Sequence, residues 1–204
     1  MGMRNAINKG VEVSTGEYLM RTDEHAIFGN NYDLILADTI QDNWIVTPRR
    51  YFLDTEKWEV MDIPPVDDMK LKIGRVSDDA GGLMDKFCGV TWNRKEMEKY
   101  MIHETMAMQG SCWFMKRSWW ESVIGELQSE GYGTHYQDSH EMVFKTWKAG
   151  GELVVNKNTW HAHKHRKFPR THGYGGKEAR DGFTYSLSIW RDYYEKEIVP
   201  KWNL

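Results

Sequence analysis

The segment Ser14-Thr-Gly-Glu-Tyr-Leu-Met-Arg-Thr-Asp-Glu-His25 places an Asp-x-His pair directly after a predicted strand in this 204-residue chain. Its middle, Tyr18 to Thr22, is predicted to be a short strand, and Asp23 and His25 follow that strand directly. Side chains two residues apart beyond a strand can converge on one ion when the chain turns, and a carboxylate with an imidazole suits Mn²⁺ or another borderline divalent ion. An Asp after a strand often caps a turn instead, so the pair alone leaves both roles open.

Outward from this segment, predicted strands and helices interleave along the chain, which is typical of the α/β class. The pattern of apolar and turn residues predicts helices at 3–13, 30–40, 95–103, 118–130, 138–148 and 183–199, and strands at 18–22, 44–53, 69–76, 111–115 and 152–155. Ser118 is the expected N-cap of its helix, and Pro48 suggests an edge strand or a bend. Segments 77–86 and 171–182 are expected to be loops, the second a mobile lid. One domain is expected over 1–204.

Two carboxylates mark the start of the helix predicted at 138–148. Asp138 and Glu141 are three residues apart and therefore share one helix face, where one of them can accept a proton from a hydroxyl group. The same spacing fits a capping box, with Asp138 as N-cap and Glu141 at N3. The two roles are compatible, because a capped helix end is a rigid place to mount a carboxylate.

Alternating histidines follow the last predicted strand. His161, His163 and His165 would share one face if the strand continued, and one of them could supply a third ligand to an ion. The alternatives are a solvated basic turn and a phosphate-binding patch made by the neighbouring cations. Those cations are Lys164, Arg166 and Lys167.

The bulk composition argues against several classes of protein. The net charge is −3, which disfavours general binding to nucleic acid or to an anionic membrane. No apolar run is long enough for a membrane span, no signal-peptide core begins the chain, and Cys88 and Cys112 do not suggest a disulfide scaffold, so a cytoplasmic location is expected. Ten tryptophans either stack on sugar rings or fill the core.

Four pieces of the sequence, in order, resemble one known family. Arg4-Asn5 with Ser14 to Asp23 resembles the A-R-N … A-x-G-E-Y-hydrophobic-x-x-D-x-D stretch of family 2 glycosyltransferases, with Asp-x-His in place of Asp-x-Asp. That variant is similar to the one in polypeptide N-acetylgalactosaminyltransferases. Gly110 to Trp120 resembles G-G-L-F-x-x-x-R-x-x-F, and Asp138 to Gly151 resembles E-N-x-E-x-x-F-R-x-W-x-x-G-G. The resemblance covers roughly residues 3–25 and 108–166.

The resemblance implies a GT-A fold, a Rossmann-like mixed sheet flanked by helices. It also implies metal-dependent transfer of a sugar from a nucleotide-diphosphate sugar, expected to be UDP-linked, to an acceptor hydroxyl. Asp23, His25 and His163 would hold Mn²⁺ (or Mg²⁺), and Asp138 would be the base with Glu141 as a helper. The implied donor-binding residues are Arg4, Asn5, Arg21, Glu24 and Arg166. The implied acceptor-binding residues are Gly110, Ser111, Trp113, Gln137 and Trp147.

The sequence departs from that family in two places. The family has about two strand–helix units before the Arg4-Asn5 segment, and these hold the nucleoside base, so an N-terminally truncated GT-A domain is expected. Gln137-Asp138 replaces the more usual Glu-Asp pair. The first departure keeps open a non-catalytic binding or assembly module, and the histidine run keeps open a metallohydrolase or nuclease-like enzyme. The aromatic C-terminal helix leaves homodimerisation open.

Overall fold

The structure is a computed structural model that describes residues 2–77, 82–133, 135–164 and 177–204. Its helices are α1 (Met3–Val13), α2 (Tyr32–Thr39), α3 (Arg117–Trp119), α4 (Asp138–Lys148), α5 (Lys177–Tyr193) and α6 (Val199–Lys201). Its strands are β1 (Tyr18–Thr22), β2 (Ala26–Phe28), β3 (Trp44–Asp54), β4 (Glu59–Val60), β5 (Met69–Ser77), β6 (Leu83–Thr91), β7 (Ile102–Glu104), β8 (Cys112–Lys116) and β9 (Glu152–His163). Short 3₁₀ or π segments lie at Lys95–Met97, Trp120–Ile124 and Tyr194–Ile198.

Within the described ranges, seven strands form one mixed sheet. Its central order is β1-β8-β3-β9-β2, with β4 paired to β3 and β7 paired to β9, while β5 and β6 form a separate hairpin. Strands β3 and β9 run parallel and the other pairs are antiparallel. Pro48 lies in the interior strand β3, where the register shifts between Pro48 and Arg49. The predicted bend is therefore present, because a bulge accommodates a residue that cannot donate a ladder hydrogen bond.

The sheet is covered on both faces, and alternation along its strands sends side chains to each side. Ile45 and Met115 belong to the main core, together with residues of α1, α4 and α5. Their neighbours Val46 and Phe114 face the other side and pack with Leu36 of α2. Burying each such side chain contributes roughly 1.5–3 kcal/mol, so this two-sided packing anchors the strand ends that carry polar residues.

The helix predicted over 118–130 is wrong in its second half. Helical structure begins at Arg117 rather than after a Ser118 cap, and it ends at Gly125, whose φ of 63° no helix accommodates. The following backbone bonds to side chains of α1 instead of continuing the helix. The side-chain amide of Asn8 donates to the carbonyl of Leu127 and accepts from its backbone N–H, and Arg4 donates to the carbonyl of Gln128. Tertiary partners for these backbone groups replace the intrahelical ones.

Other boundaries differ from the sequence prediction in length. The strand predicted to end at residue 155 continues to His163, the predicted helix 95–103 is a single 3₁₀ turn followed by β7, and part of the predicted loop 77–86 belongs to the hairpin. The C-terminal helix predicted at 183–199 begins at Lys177 and continues through a π segment to Lys201. Of the predicted loop 171–182, residues 171–176 lie outside the described residues, and residues 177–182 form the start of α5 instead of a loop. Among the described residues, no helix is long and apolar enough to cross a membrane.

Candidate metal centre and cleft

Four strands bring the first candidate ligands together. Thr22 at the end of β1 pairs with Cys112 of β8, and the backbone N–H of Asp23 donates to the carbonyl of Ser111 at 3.1 Å. The chain then turns within two residues and enters β2, where Ala26 pairs with His163 at the end of β9. His25 therefore lies directly before the residue that faces His163. The turn that the sequence could only suggest is fixed by pairing to two different strands.

The side chains of Asp23, His25 and His163 converge at this point. His163 Nε2 lies 3.0 Å from Asp23 Oδ2, and His25 Nε2 lies 4.0 Å from the same oxygen. One ligand atom of each residue lies within 4.8 Å of the others. Two imidazoles and one carboxylate suit Mn²⁺ and other transition metals better than Mg²⁺, which prefers oxygen ligands. The residues present therefore fit a divalent transition-metal ion.

Asp23 is held as a carboxylate by its neighbours rather than serving as a turn cap. Arg21 Nη2 donates to Asp23 Oδ1 at 2.6 Å, so the two carboxylate oxygens have different partners. Burial by itself would raise the pKa of Asp23, but the hydrogen bond from His163 and the charge of Arg21 outweigh it and lower that pKa. An ionised, partly exposed carboxylate is the form that binds a cation.

A cleft of about 820 Å³ opens beside the three ligands. Asp138, at the start of α4, lines it with a side chain that is mostly buried. Asp138 Oδ2 has no hydrogen-bond partner among the described residues. Gly110 lines the cleft between two charged groups: a β-carbon built there would lie 3.1 Å from Arg21 Nη1 and 3.5 Å from Asp138 Oδ2. Gly110 thus keeps the space open between the guanidinium and the carboxylate.

The cleft also contains several of the other predicted site residues. Glu24, Ser111 and Gln137 line it, and Glu24 contacts His25 Nδ1 at 3.1 Å. Gln137 has a left-handed φ of 58°, and it precedes α4 without a capping side-chain hydrogen bond. The capping box with Asp138 as N-cap is therefore wrong, because Asp138 is the first helical residue.

Arg4 and Glu141 are placed away from this cleft. Their side chains form an ion pair in which Arg4 is 0% and Glu141 2% exposed. Arg4 also donates to the carbonyl of Tyr136 at 2.6 Å, and its guanidinium lies 4.2 Å from the ring centroid of Tyr132. Lys145, one helical turn beyond Glu141, is 2.8 Å from that carboxylate. Both residues are built into the packing of α1 against α4, so Arg4 is buried rather than placed for the expected donor contact, and Glu141 supports the helix that carries Asp138.

The predicted aromatic contacts are core contacts. Trp113 is 1% exposed and stacks on Trp120 at a centroid distance of 6.0 Å, and Trp147 packs edge-on against Phe144. Neither Trp113 nor Trp147 lines the main cleft. Asn5 lies on the exposed side of α1, where it accepts a hydrogen bond from Ser129. The abundance of tryptophan in the sequence thus reflects packing at these positions, since large rings fill volume as readily as they bind ligands.

Four further residues from the sequence analysis either lie in the core or fall outside the described residues. His161 shares the β9 face with His163, but burial lowers its pKa to about 3 and its Nε2 lies 3.4 Å from Ser111 Oγ, so it is a neutral core histidine. Burial raises the pKa of Cys112 to about 12, which agrees with a buried apolar role. Arg166 and His165 lie outside the described residues.

The sequence prediction missed the contribution of the β5–β6 hairpin. Lys86, Phe87 and Cys88 of β6 line the cleft, although the first of these was expected in a loop. Lys86 Nζ lies 4.8 Å from the ring centroid of Phe183 in α5, which places this cation at the cleft wall. No local motif marks these residues, because they reach the site only through packing of the hairpin against α5.

Comparisons with known proteins agree with this geometry at the level of fold. No protein-family model and no curated protein matches the sequence. The structure is similar to a crystal structure of GalNAc-T7 with UDP, GalNAc and Mn²⁺, with a TM-score of 0.66 and 16% sequence identity. The match covers 97% of this chain and 37% of the GalNAc-T7 chain. The predicted GT-A architecture, a mixed sheet flanked by helices, is thereby confirmed.

Proposed function

We propose that this chain is a metal-dependent glycosyltransferase domain that uses a nucleotide-diphosphate sugar as donor. One observation carries the proposal: Asp23, His25 and His163 meet at the rim of the cleft that Asp138 also lines. A cation site beside a carboxylate whose Oδ2 has no hydrogen-bond partner among the described residues would supply the two ends of a transfer reaction, one for the leaving diphosphate and one for the attacking hydroxyl. The GT-A fold and the UDP and Mn²⁺ in the GalNAc-T7 structure support the same interpretation.

The ligand chemistry favours Mn²⁺ over Mg²⁺ as the ion. Asp23, His25 and His163 would hold it, and a bound ion would stabilise the negative charge that develops on the leaving diphosphate. Arg21, Lys86 and Lys164 place further positive charge on the cleft wall. A cleft with this charge suits a diphosphate, whose oxygens accept hydrogen bonds from guanidinium and ammonium groups.

Asp138 is the residue proposed to act on the acceptor. Its carboxylate accepts the proton of an acceptor hydroxyl while the hydroxyl oxygen forms a bond to the anomeric carbon and the bond from that carbon to the diphosphate breaks. The rigid start of α4 holds the carboxylate in place, and Gly110 adds no side chain to the space between Asp138 and Arg21. Glu141 helps indirectly, by anchoring α4 to α1 through Arg4.

The test is donor turnover by the whole chain with and without Mn²⁺. UDP-N-acetylgalactosamine is the first donor to try, followed by other nucleotide sugars, with release of the nucleoside diphosphate as the readout. Asp23→Ala and Asp138→Asn should each lower turnover by at least about 100-fold, the order expected for loss of a metal ligand or a general base.

The matched control is Asp67→Asn, which removes a carboxylate that pairs with Arg49 and does not line the cleft. It should retain turnover close to that of the native chain. Unchanged turnover in Asp23→Ala would reject the metal assignment. Absence of Mn²⁺-dependent binding of a nucleoside diphosphate would favour the non-catalytic alternative, a module that lacks a complete donor site.

A further inference from the structure

Arg21 contacts the candidate metal ligand Asp23 on the side away from the histidines. Its Nη2 donates to Oδ1 of Asp23 at 2.6 Å, whereas Oδ2 faces His163 and His25. Both side chains are partly exposed, at 16% and 24%. A guanidinium keeps its positive charge at any ordinary pH, so a permanent cation shares the one carboxylate that would bind a dication.

The charge of the three-ligand cluster is therefore small. The two imidazoles must be neutral to bind a metal, and the charge of Asp23 is offset by Arg21. Glu24 is 83% exposed and lies against His25, where solvent screens its charge. Because affinity for divalent ions rises with the negative charge of the ligands, this site should bind a divalent ion weakly when the ion is alone.

The second terminal nitrogen of Arg21, Nη1, lies beside Gly110 at the cleft. It lies 3.1 Å from the β-carbon position of Gly110, and Gly110 and Arg21 both line the cleft. The planar guanidinium can donate two parallel hydrogen bonds to phosphate oxygens. A diphosphate at this position could therefore contact Arg21 and the ion at the same time, and its negative charge would relieve the repulsion between them.

We propose that Arg21 couples the binding of the metal ion to the binding of the diphosphate. It weakens binding of the ion alone and joins the ion in holding the diphosphate, so that each ligand strongly increases the affinity for the other. The coupling is reciprocal by thermodynamic linkage. This inference rests on the proposed function and adds that the metal ion and the diphosphate bind cooperatively to the same site.

The experiment measures Mn²⁺ affinity by the electron paramagnetic resonance signal of free Mn²⁺, with and without inorganic pyrophosphate and, separately, with and without UDP. Affinities are corrected for Mn²⁺ bound by these anions in solution. In the native chain, each anion should raise Mn²⁺ affinity by about tenfold or more, within the usual range of coupling between sites. Arg21→Met should bind Mn²⁺ alone about tenfold more tightly and lose most of the enhancement. Arg21→Lys keeps the charge without the planar fork, so it should keep the weak binding of Mn²⁺ alone and part of the enhancement.

Arg49→Met is the matched control, because Arg49 also pairs with an aspartate, Asp67, but does not line the cleft. It should leave both affinities unchanged, and thermal unfolding checks that every variant is folded. If Arg21→Met weakens Mn²⁺ binding by the same factor with and without the anion, Arg21 merely orders Asp23 and the proposal is wrong. Absence of enhancement in the native chain also overturns it. Coupling without sugar transfer would instead reject the proposed function and keep this inference.

Discussion

Two arginine–carboxylate pairs in this protein have the same chemistry and opposite surroundings. Arg21 and Asp23 are 16% and 24% exposed and lie on the cleft, whereas Arg4 and Glu141 are 0% and 2% exposed between α1 and α4. All four residues belong to segments that resemble glycosyltransferase motifs. The difference shows that a motif residue acts on a ligand only where the fold leaves it accessible.

The physical reason lies in the remaining partners of each pair. The guanidinium of Arg4 is enclosed by the carbonyls of Gln128 and Tyr136 and by the Tyr132 ring. In such a place, removing one partner of the ion pair leaves the other as a desolvated charge, which is strongly destabilising. Arg21, in contrast, has one nitrogen on Asp23 and another beside Gly110 at the cleft, so a ligand can compete for it.

The largest expected effect breaks the buried pair. Arg4→Met should lower the free energy of unfolding by about 3–5 kcal/mol, because Glu141 would remain as a buried charge paired with the partly exposed Lys145. Urea unfolding followed by circular dichroism measures the change. Adding Glu141→Gln to the same variant should recover part of the loss. A decrease below about 1 kcal/mol for Arg4→Met would show that this pair contributes no more than a surface ion pair.

A second prediction sharpens the comparison at the exposed cluster. His25→Ala should lower Mn²⁺ affinity, measured in the presence of pyrophosphate, by about 100-fold, since one of three ligands is lost. The unfolding free energy should change by about 1 kcal/mol or less, because His25 is 18% exposed in a turn. By contrast, His161 is a buried, neutral histidine of the core and is not one of the proposed ligands. Equal Mn²⁺ affinity in His25→Ala and the native chain would remove His25 from the ligand set.

The smallest expected effect concerns the space between the charged groups. Gly110→Ala adds a methyl group 3.1 Å from Arg21 Nη1, and the flexible end of that side chain can shift by a few tenths of an ångström. Stability should therefore stay nearly constant, while the donor KM rises by about tenfold, roughly 1.4 kcal/mol of lost fit. Steady-state kinetics over a range of donor concentrations measures this. An unchanged KM would mean that no substrate group occupies the gap.

Local pattern predicted the elements whose stability is local. The helix Asp138–Lys148 and the strand Tyr18–Thr22 match the expected bounds, since apolar spacing and the Gly150-Gly151 stop are visible in the sequence. The helix expected over 118–130 failed at Gly125, where side chains of α1 bind the backbone that the helix would have used. Hydrogen-bond partners that are distant in the sequence cannot be recognised from the pattern of neighbouring residues.

The candidate site shows the same division between what the sequence predicts and what the tertiary structure decides. The types and order of Asp23, His25, Asp138 and His163 are written in the sequence, and with them the chemistry that they can perform. Only the tertiary structure brings residues 23 and 163 to 3.0 Å, by pairing the turn after β1 with β8 and β9. Only the tertiary structure decides that Arg4 is enclosed and Arg21 is accessible, because burial depends on which distant elements pack above a side chain and not on the residue itself.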